Sequence, residues 1–212
     1  MREEEKIFAG QLFCPGDPDL KAIKLRSHEL CSRYNTLYES EADLRNHLVD
    51  EILLEHGKGV FMQGPIFFHY GKHTKMGDRV FINYDFTVQD DAMVTIGNDV
   101  NFGPKCTIVT PVHPMIASER NAMRTASGEV KRLCYAKPVT IGNSVWFGAN
   151  VTVCGGVTIG DGCVIGAGSV VVKDIPAGCF AAGNPARVIR EITEKDSMKY
   201  KPEILADNEV IE

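Results

Sequence analysis

Few side chains in this sequence have the type and setting for chemistry. His113 stands in Thr110-Pro111-Val112-His113-Pro114, where two prolines restrict the backbone around it. An imidazole with a pKa near about 6.5 can take a proton from a hydroxyl at neutral pH and give it back, which suits a general base. Asn83 opens Asn83-Tyr84-Asp85 and carries an amide that donates and accepts without changing charge. Asp91 closes Gln89-Asp90-Asp91, and Lys173, Arg187 and Arg190 form a basic set late in the chain. The two arginines of that set can grip a phosphate bidentately.

Metal chemistry finds less support. The six histidines are His28, His47, His56, His69, His73 and His113. A catalytic zinc of the carbonic anhydrase kind needs three converging on one ion. The first three fall in an N-terminal helical stretch, and forty residues separate His73 from His113. No metal is expected. The seven cysteines form no CxxC pair and read as reduced, structural residues.

Something must position these groups, and the stretch Val139–Val172 shows what. Ile141, Phe147, Val153, Ile159, Ile165 and Val171 recur every six residues, and four of them are followed directly by glycine. Four residues after each of the first five stand Val145, Val151, Val157, Cys163 and Ser169. Six residues make about 1.7 turns of an α-helix and would scatter these apolar positions, whereas a simple strand repeats every two. Period six fits a parallel β-helix of hexapeptide repeats, in which three hexads close one triangular coil. The glycines are expected where the corners need unusual backbone angles. The phase also runs through Met76, Ile82 and Val88, slips by two residues between Gln89 and Thr95, and resumes at Ile96, Phe102 and Ile108.

Residues 1–57 read as a helical cap, 58–188 as the β-helix with a protruding loop at about 110–137, and 189–212 as a polar tail. Asp17 and Pro18 start a helix that carries Leu20, Ile23, Leu30, Tyr34 and Leu37. Ser40 to Asp43 resembles a capping box for a second helix, with Leu44, Leu48, Ile52 and Leu53 on its apolar face and Gly57 and Gly59 at its end. The net charge of −5 leaves no electrostatic footprint for nucleic acid or an anionic membrane. No apolar run approaches the roughly 20 residues of a membrane span, and the acidic N-terminus lacks a signal-peptide core. A cytoplasmic protein is expected.

Several stretches together resemble one family: NYDFTVQDD (83–91), TPVHP (110–114), KPVTIGNSVWFGANVTV (137–153), GDGCVIGAGSVVVKDIP (160–176) and AAGNPARVIREI (181–192). They are similar to the hexapeptide-repeat sugar O-acetyltransferases of the maltose, galactoside and nodulation type, and AGQLFCPGDPDL (9–20) resembles their helical cap. The resemblance implies a mainly β fold, a left-handed parallel β-helix with an N-terminal helical cap. It implies a homotrimer with acetyl-CoA bound between subunits and acetyl passed directly to an acceptor hydroxyl. His113 falls at the family's catalytic histidine. Asn83, Asp91, His69 and Asp17 fall at or near acceptor-side positions, His69 where relatives often carry Ser or Cys. Trp146, Ala149, Ala167, Val172, Lys173, Arg187 and Arg190 fall on the coenzyme side. Cys134 stands where the family often has a glutamate that orients the histidine, so a backbone carbonyl is the expected substitute. Related acetyltransferases acting on serine, antibiotics or nucleotide sugars, and a non-catalytic trimeric scaffold, are the rival readings.

Overall fold

The structure, a computed structural model, describes residues 1–210, so the last two residues of the expected tail lie outside it. Short parallel strands wind into a β-helix of about six turns. The first face stacks Glu55–His56, Thr74–Met76, Val94–Ile96, Val139–Ile141 and Thr158–Ile159. The second stacks Phe61–Met62, Phe81–Ile82, Asn101–Phe102, Trp146–Phe147, Val164–Ile165 and Cys179–Gly183, closed by the antiparallel strand Ala186–Glu191. The third stacks Ile66–Phe68, Phe86–Gln89, Thr107–Val109, Thr152–Cys154 and Val170–Val171. Strand register puts residues of one phase on top of each other, as in Met76, Ile96, Ile141 and Ile159 or Val88, Ile108, Val153 and Val171. All are buried, and Phe102 lies flat on Phe147 with ring centroids 4.6 Å apart.

The glycines that follow the core residues do a different job from the one expected. Gly77, Gly97, Gly103, Gly142, Gly148, Gly160 and Gly166 do not have positive φ. A Cβ on Gly148 would stand 2.6 Å from the Ala167 nitrogen of the next coil, and one on Gly160 would stand 2.4 Å from that of Ala177. These glycines let one coil's backbone rest on the next. The left-handed corner seat comes two residues later and is taken by Asp85, Lys105, Asn150 and Gly168 on one edge, and by Arg79, Asp99, Ser144 and Gly162 on another. On that second edge, side-chain oxygens climb the stack. Asp78 accepts from Lys58 N–H at 2.7 Å, Asn98 from Asp78 at 2.7 Å, Asn143 from Asn98 at 2.9 Å and Asp161 from Asn143 at 2.7 Å. The ladder satisfies corner amides that no strand partner reaches.

The cap consists of α1 (Glu3–Phe8), α2 (Pro18–Tyr34) and α3 (Ala42–Ile52). Asp17 caps α2, its Oδ1 accepting from the Asp19 and Leu20 amides at 3.0 and 3.3 Å. The expected box at Ser40 does not form: Glu41 is the N-cap residue and makes no side-chain cap bond. Its carboxylate turns back to the Tyr38 amide instead. Leu44 points to solvent, 41% exposed, while Leu48, Ile52 and Leu53 are buried. Gly57 and Gly59 do not end α3, since the first strand already runs at Glu55–His56. They form the first corner of the stack, Gly59 with φ of 71°. The buried Arg45 of α3 donates to Met62 and Gln63 carbonyls and to the Tyr34 hydroxyl. It satisfies carbonyls of the first coil, beneath which no further coil exists. No described helix is long and apolar enough to cross a membrane.

Candidate active site

All large departures from the six-residue period fall on one edge, between the third and first faces. Phe68 and Met76 are eight residues apart, as are Val88 and Ile96, while Ile108 and Ile141 are thirty-three apart. The first of these insertions, at His69–Lys75, was not recognised from the repeat pattern; the eight-residue spacing was its signal. The insertions bring His69, Tyr70, His73, Asp90, Asp91, Thr110 and His113 to one edge in successive coils. The longest insertion has structure of its own. Pro111–Val112 pairs antiparallel with Tyr135–Ala136, α4 (Ala117–Asn121) follows His113, and Met123–Arg124 pairs with Val130–Lys131. Phe13 and Cys134 exchange two backbone hydrogen bonds, at 2.8 and 3.1 Å, and so tie the cap to this loop.

Beneath the loop lies a polar cluster that a regular coil could not hold. Asp90 is fully buried and accepts from the Tyr70 amide at 2.7 Å and the Thr74 hydroxyl at 2.9 Å. Burial pushes its carboxyl above the usual range. His73 sets one ring nitrogen 2.9 Å from the Asp90 carbonyl and the other 3.3 Å from the Glu4 carboxylate of α1. The Thr110 hydroxyl donates to the Gln89 carbonyl and accepts from the Ala92 amide, both at 2.9 Å, which fixes the root of the loop.

Asp91 is 3% exposed, and its Oδ2 has no hydrogen-bond partner among the described residues. Burial, and after it the Asp90 charge, push its pKa up to about 6. His69 lies edge-on to Tyr70 at 4.7 Å and tilted to His28 at 5.6 Å. Burial, with Lys24 next, lowers its pKa to about 4, which keeps it neutral at physiological pH. Tyr70 lies between His69 and His73, edge-on to the first and stacked on the second at 4.8 Å, and so separates them. Among the described residues no three potential ligands converge on a metal position.

His113 is exposed at the rim of a recess of about 440 Å³, shared with Pro15, Arg120, Arg132 and Cys134. Among the described residues neither Cys134 nor a carbonyl bonds its ring, so the expected backbone substitute for the glutamate is not seen. The chain beyond it is held by Arg120, which donates to the Pro114 and Met115 carbonyls at 3.1 and 3.2 Å. Burial and the nearby Asp91 push the Cys134 thiol up to about 12, so it offers no thiolate. A larger, mostly apolar recess of about 770 Å³ lies between α1 and the first face, away from His113. Its lysines are engaged, Lys72 with the Leu53 carbonyl and Lys75 with Glu55.

The remaining candidates lie elsewhere. Asn83 occupies the edge between the second and third faces, where its Oδ1 accepts from Tyr84 N–H at 2.9 Å. Asp85 takes the left-handed seat there, so Asn83 is not required by backbone geometry. Ala149 and Ala167 stack above it on the same edge, the Ala149 carbonyl accepting from Gly168 at 2.8 Å. Trp146 projects from the second face between Asn101 and Val164 and is 55% exposed. Val172 and Lys173 leave the third face at its other edge, on the last coil. Arg187 pairs in register with Ala182. Arg190 is bound bidentately to Asp196 at 2.6 and 2.7 Å, and that pairing holds the Asp196 carboxyl down at about 2.

The chain therefore gathers His69, Asp91 and His113 on one edge and Asn83, Ala149 and Ala167 on another. A full face of the prism separates His113 from Asn83. The sequence reading missed Tyr70, His73, Asp90, Thr110 and the two arginines beside His113. Only the adjacent Asp90-Asp91 pair in the slipped segment signalled a buried polar cluster.

Comparison with known proteins gives one consistent picture. Residues 138–173 match the bacterial transferase hexapeptide (six repeats), and residues 6–57 match the maltose acetyltransferase hexapeptide capping motif. The chain is 38% identical over 196 residues to a galactoside O-acetyltransferase of Escherichia coli (strain K12), covering 92% of each chain. Among solved structures, a galactoside acetyltransferase in complex with coenzyme A aligns with a TM-score of 0.85 and 37% identity, covering 100% of both chains. A maltose O-acetyltransferase from Clostridium difficile 630 aligns with a TM-score of 0.84 and 36% identity, over 92% of this chain and 99% of its own.

Proposed function

The chain belongs to the hexapeptide-repeat acetyltransferases with the maltose-acetyltransferase cap, and from that premise we propose that it moves acetyl from acetyl-CoA directly to a hydroxyl of a sugar or glycoside, with His113 as general base. A sugar hydroxyl is a weak nucleophile at neutral pH. His113 takes its proton as the oxygen attacks the thioester carbonyl, and a tetrahedral intermediate forms. The C–S bond then breaks, and the proton returns from the imidazolium to the departing thiolate of coenzyme A. A backbone N–H facing the carbonyl oxygen would stabilise the intermediate's charge. No enzyme nucleophile is needed, in keeping with the buried, protonated Cys134.

The observation that carries this reading is the loaded edge itself. It sets the free carboxylate oxygen of Asp91 and the neutral His69 on the same edge as His113, as polar partners for a hydroxyl-rich acceptor. Asp17 bonds its own helix through Oδ1, so any acceptor contact falls to its other oxygen. Trp146, Ala149 and Ala167 line the coenzyme groove in this proposal, with Val172, Lys173 and Arg187 toward its nucleotide end. Arg190 would join them only by giving up Asp196.

A homotrimer fits the split of the site between two edges. Outward positions on the third face are Phe67, Thr87, Gln89, Thr107, Val109, Thr152, Cys154 and Val170, a column without a charge. Such a face suits burial against a second copy, which would bring one subunit's Asn83 toward its neighbour's His113. Seven free cysteines and the use of acetyl-CoA fit the cytoplasm.

The test is free-thiol release from acetyl-CoA over glucose, maltose, galactosides, glucosamine, serine and chloramphenicol. The proposal expects acceptor-dependent release with a sugar. Release with serine or chloramphenicol alone would move the acceptor class. Absence of acetyl-CoA binding would favour a scaffold.

A further inference from the structure

The recess beside His113 is basic in an acidic protein. The chain carries a net charge of −5, yet this recess contains Arg120, Arg132 and Asn121 and no carboxylate. Cys134 occupies its wall as a protonated thiol. Several other arginines are neutralised: Arg26 by Glu51, Arg79 by Asp99 and Arg190 by Asp196. Among the described residues neither Arg120 nor Arg132 is in an ion pair. Arg120 spends one nitrogen on the Pro114 and Met115 carbonyls, which fixes the guanidinium against the loop, and Arg132 is exposed with its whole fork available. The phosphates of coenzyme A do not explain the pair, because the pantetheine arm holds them far from the thioester that His113 must face.

We propose that this recess selects an acceptor with an anionic substituent, a carboxylate or a phosphate, near the hydroxyl that is acetylated. The inference rests on His113 as the base. A guanidinium fork matches either group bidentately. Arg132 is the specificity-determining residue, while Arg120 contributes charge and holds the loop.

The experiment compares galactose, galacturonate and galactose 6-phosphate as acceptors for the wild type, Arg132→Gln and Arg132→Lys. The wild type prefers at least one anionic acceptor by about tenfold in kcat/KM. Arg132→Gln removes most of that preference through KM, leaves galactose and the KM for acetyl-CoA unchanged, and Arg132→Lys restores part of it. The uronate and the phosphate arms tell the two anions apart. Equal use of galactose and both anionic sugars, or a loss in Arg132→Gln that is the same for all three, overturns the inference. Equilibrium binding of the same sugars to the coenzyme A-loaded protein separates the two proposals. Binding that favours an anion and depends on Arg132, without thiol release, sustains the anion site and refutes the transfer reading. Binding with no such preference refutes the anion site.

Discussion

Two edges of the prism are built from the same repeat and have diverged in use. On the edge between the second and third faces, the coils turn in six residues, with a stacking glycine and a left-handed seat two positions on, and Asn83 takes the glycine's place ahead of Asp85. On the edge between the third and first faces, three coils carry extra residues, and there Asp90, Asp91 and His73 go under cover while His113 stays exposed. A regular hexad has room for one inward side chain and a corner, so it cannot bury a carboxylate with its partners. Extra residues make that room, and they supply Asp90 with the amide and hydroxyl that it needs. The regular edge keeps the stack straight, and the irregular edge buries polar groups.

The largest expected effect separates the edges by function. His113→Ala lowers kcat/KM by about a thousandfold while acetyl-CoA affinity holds, measured by thiol release and by calorimetry. Near-normal turnover would remove the base from the loaded edge. Next comes the regular edge by stability: Gly148→Ala costs about 3 kcal/mol, because its Cβ would press on the Ala167 backbone of the next coil. Chemical denaturation at fixed protein concentration measures it.

The third prediction concerns Asp91, whose folded pKa of about 6 exceeds the ordinary aspartate value of 3.8. The native state binds the extra proton between those values, so this group's contribution to stability falls as pH rises through the window. Asp91→Asn is therefore more stable than wild type by about 2 kcal/mol at pH 8, with the difference fading toward pH 4, and it raises the acceptor KM. Melting temperatures at both pH values check the sign. A variant less stable than wild type at pH 8 would mean that the carboxylate is well solvated. The smallest effect is Gly168→Ala on the regular edge. It has open space around it but a φ of 71°, so only about 1 kcal/mol is lost.

The pair Gly148 and Gly168 also shows what was legible in the sequence. Spacing located Gly148 and the core columns with it, since a period of six is a local property. It gave Gly148 the corner role that Gly168 has, because a clash between Gly148 and Ala167 arises only when coils stack. The cap helices were legible from apolar periodicity. The start of α3 was not, because Ser40 and Glu41 compete for one turn and the Tyr38 amide drew the Glu41 carboxylate away. His113 stood out through its prolines and the family resemblance. Asp90, Thr110 and His73 did not, since each matters through partners brought close only by two slips in the coil. Arg190 read as a free phosphate ligand, and the tail folding back through Asp196 decides otherwise.

The central claim is that the two edges meet in one active site across a subunit boundary. Its most direct test is to co-express His113→Ala and Asn83→Ala chains with different tags and to isolate the mixed oligomers. Each variant alone loses most transfer. In each mixed trimer one of the three interfaces pairs an intact His113 edge with an intact Asn83 edge, so activity returns to about a third of wild type. Mixed oligomers as inactive as their parents would contradict a site shared between the two edges.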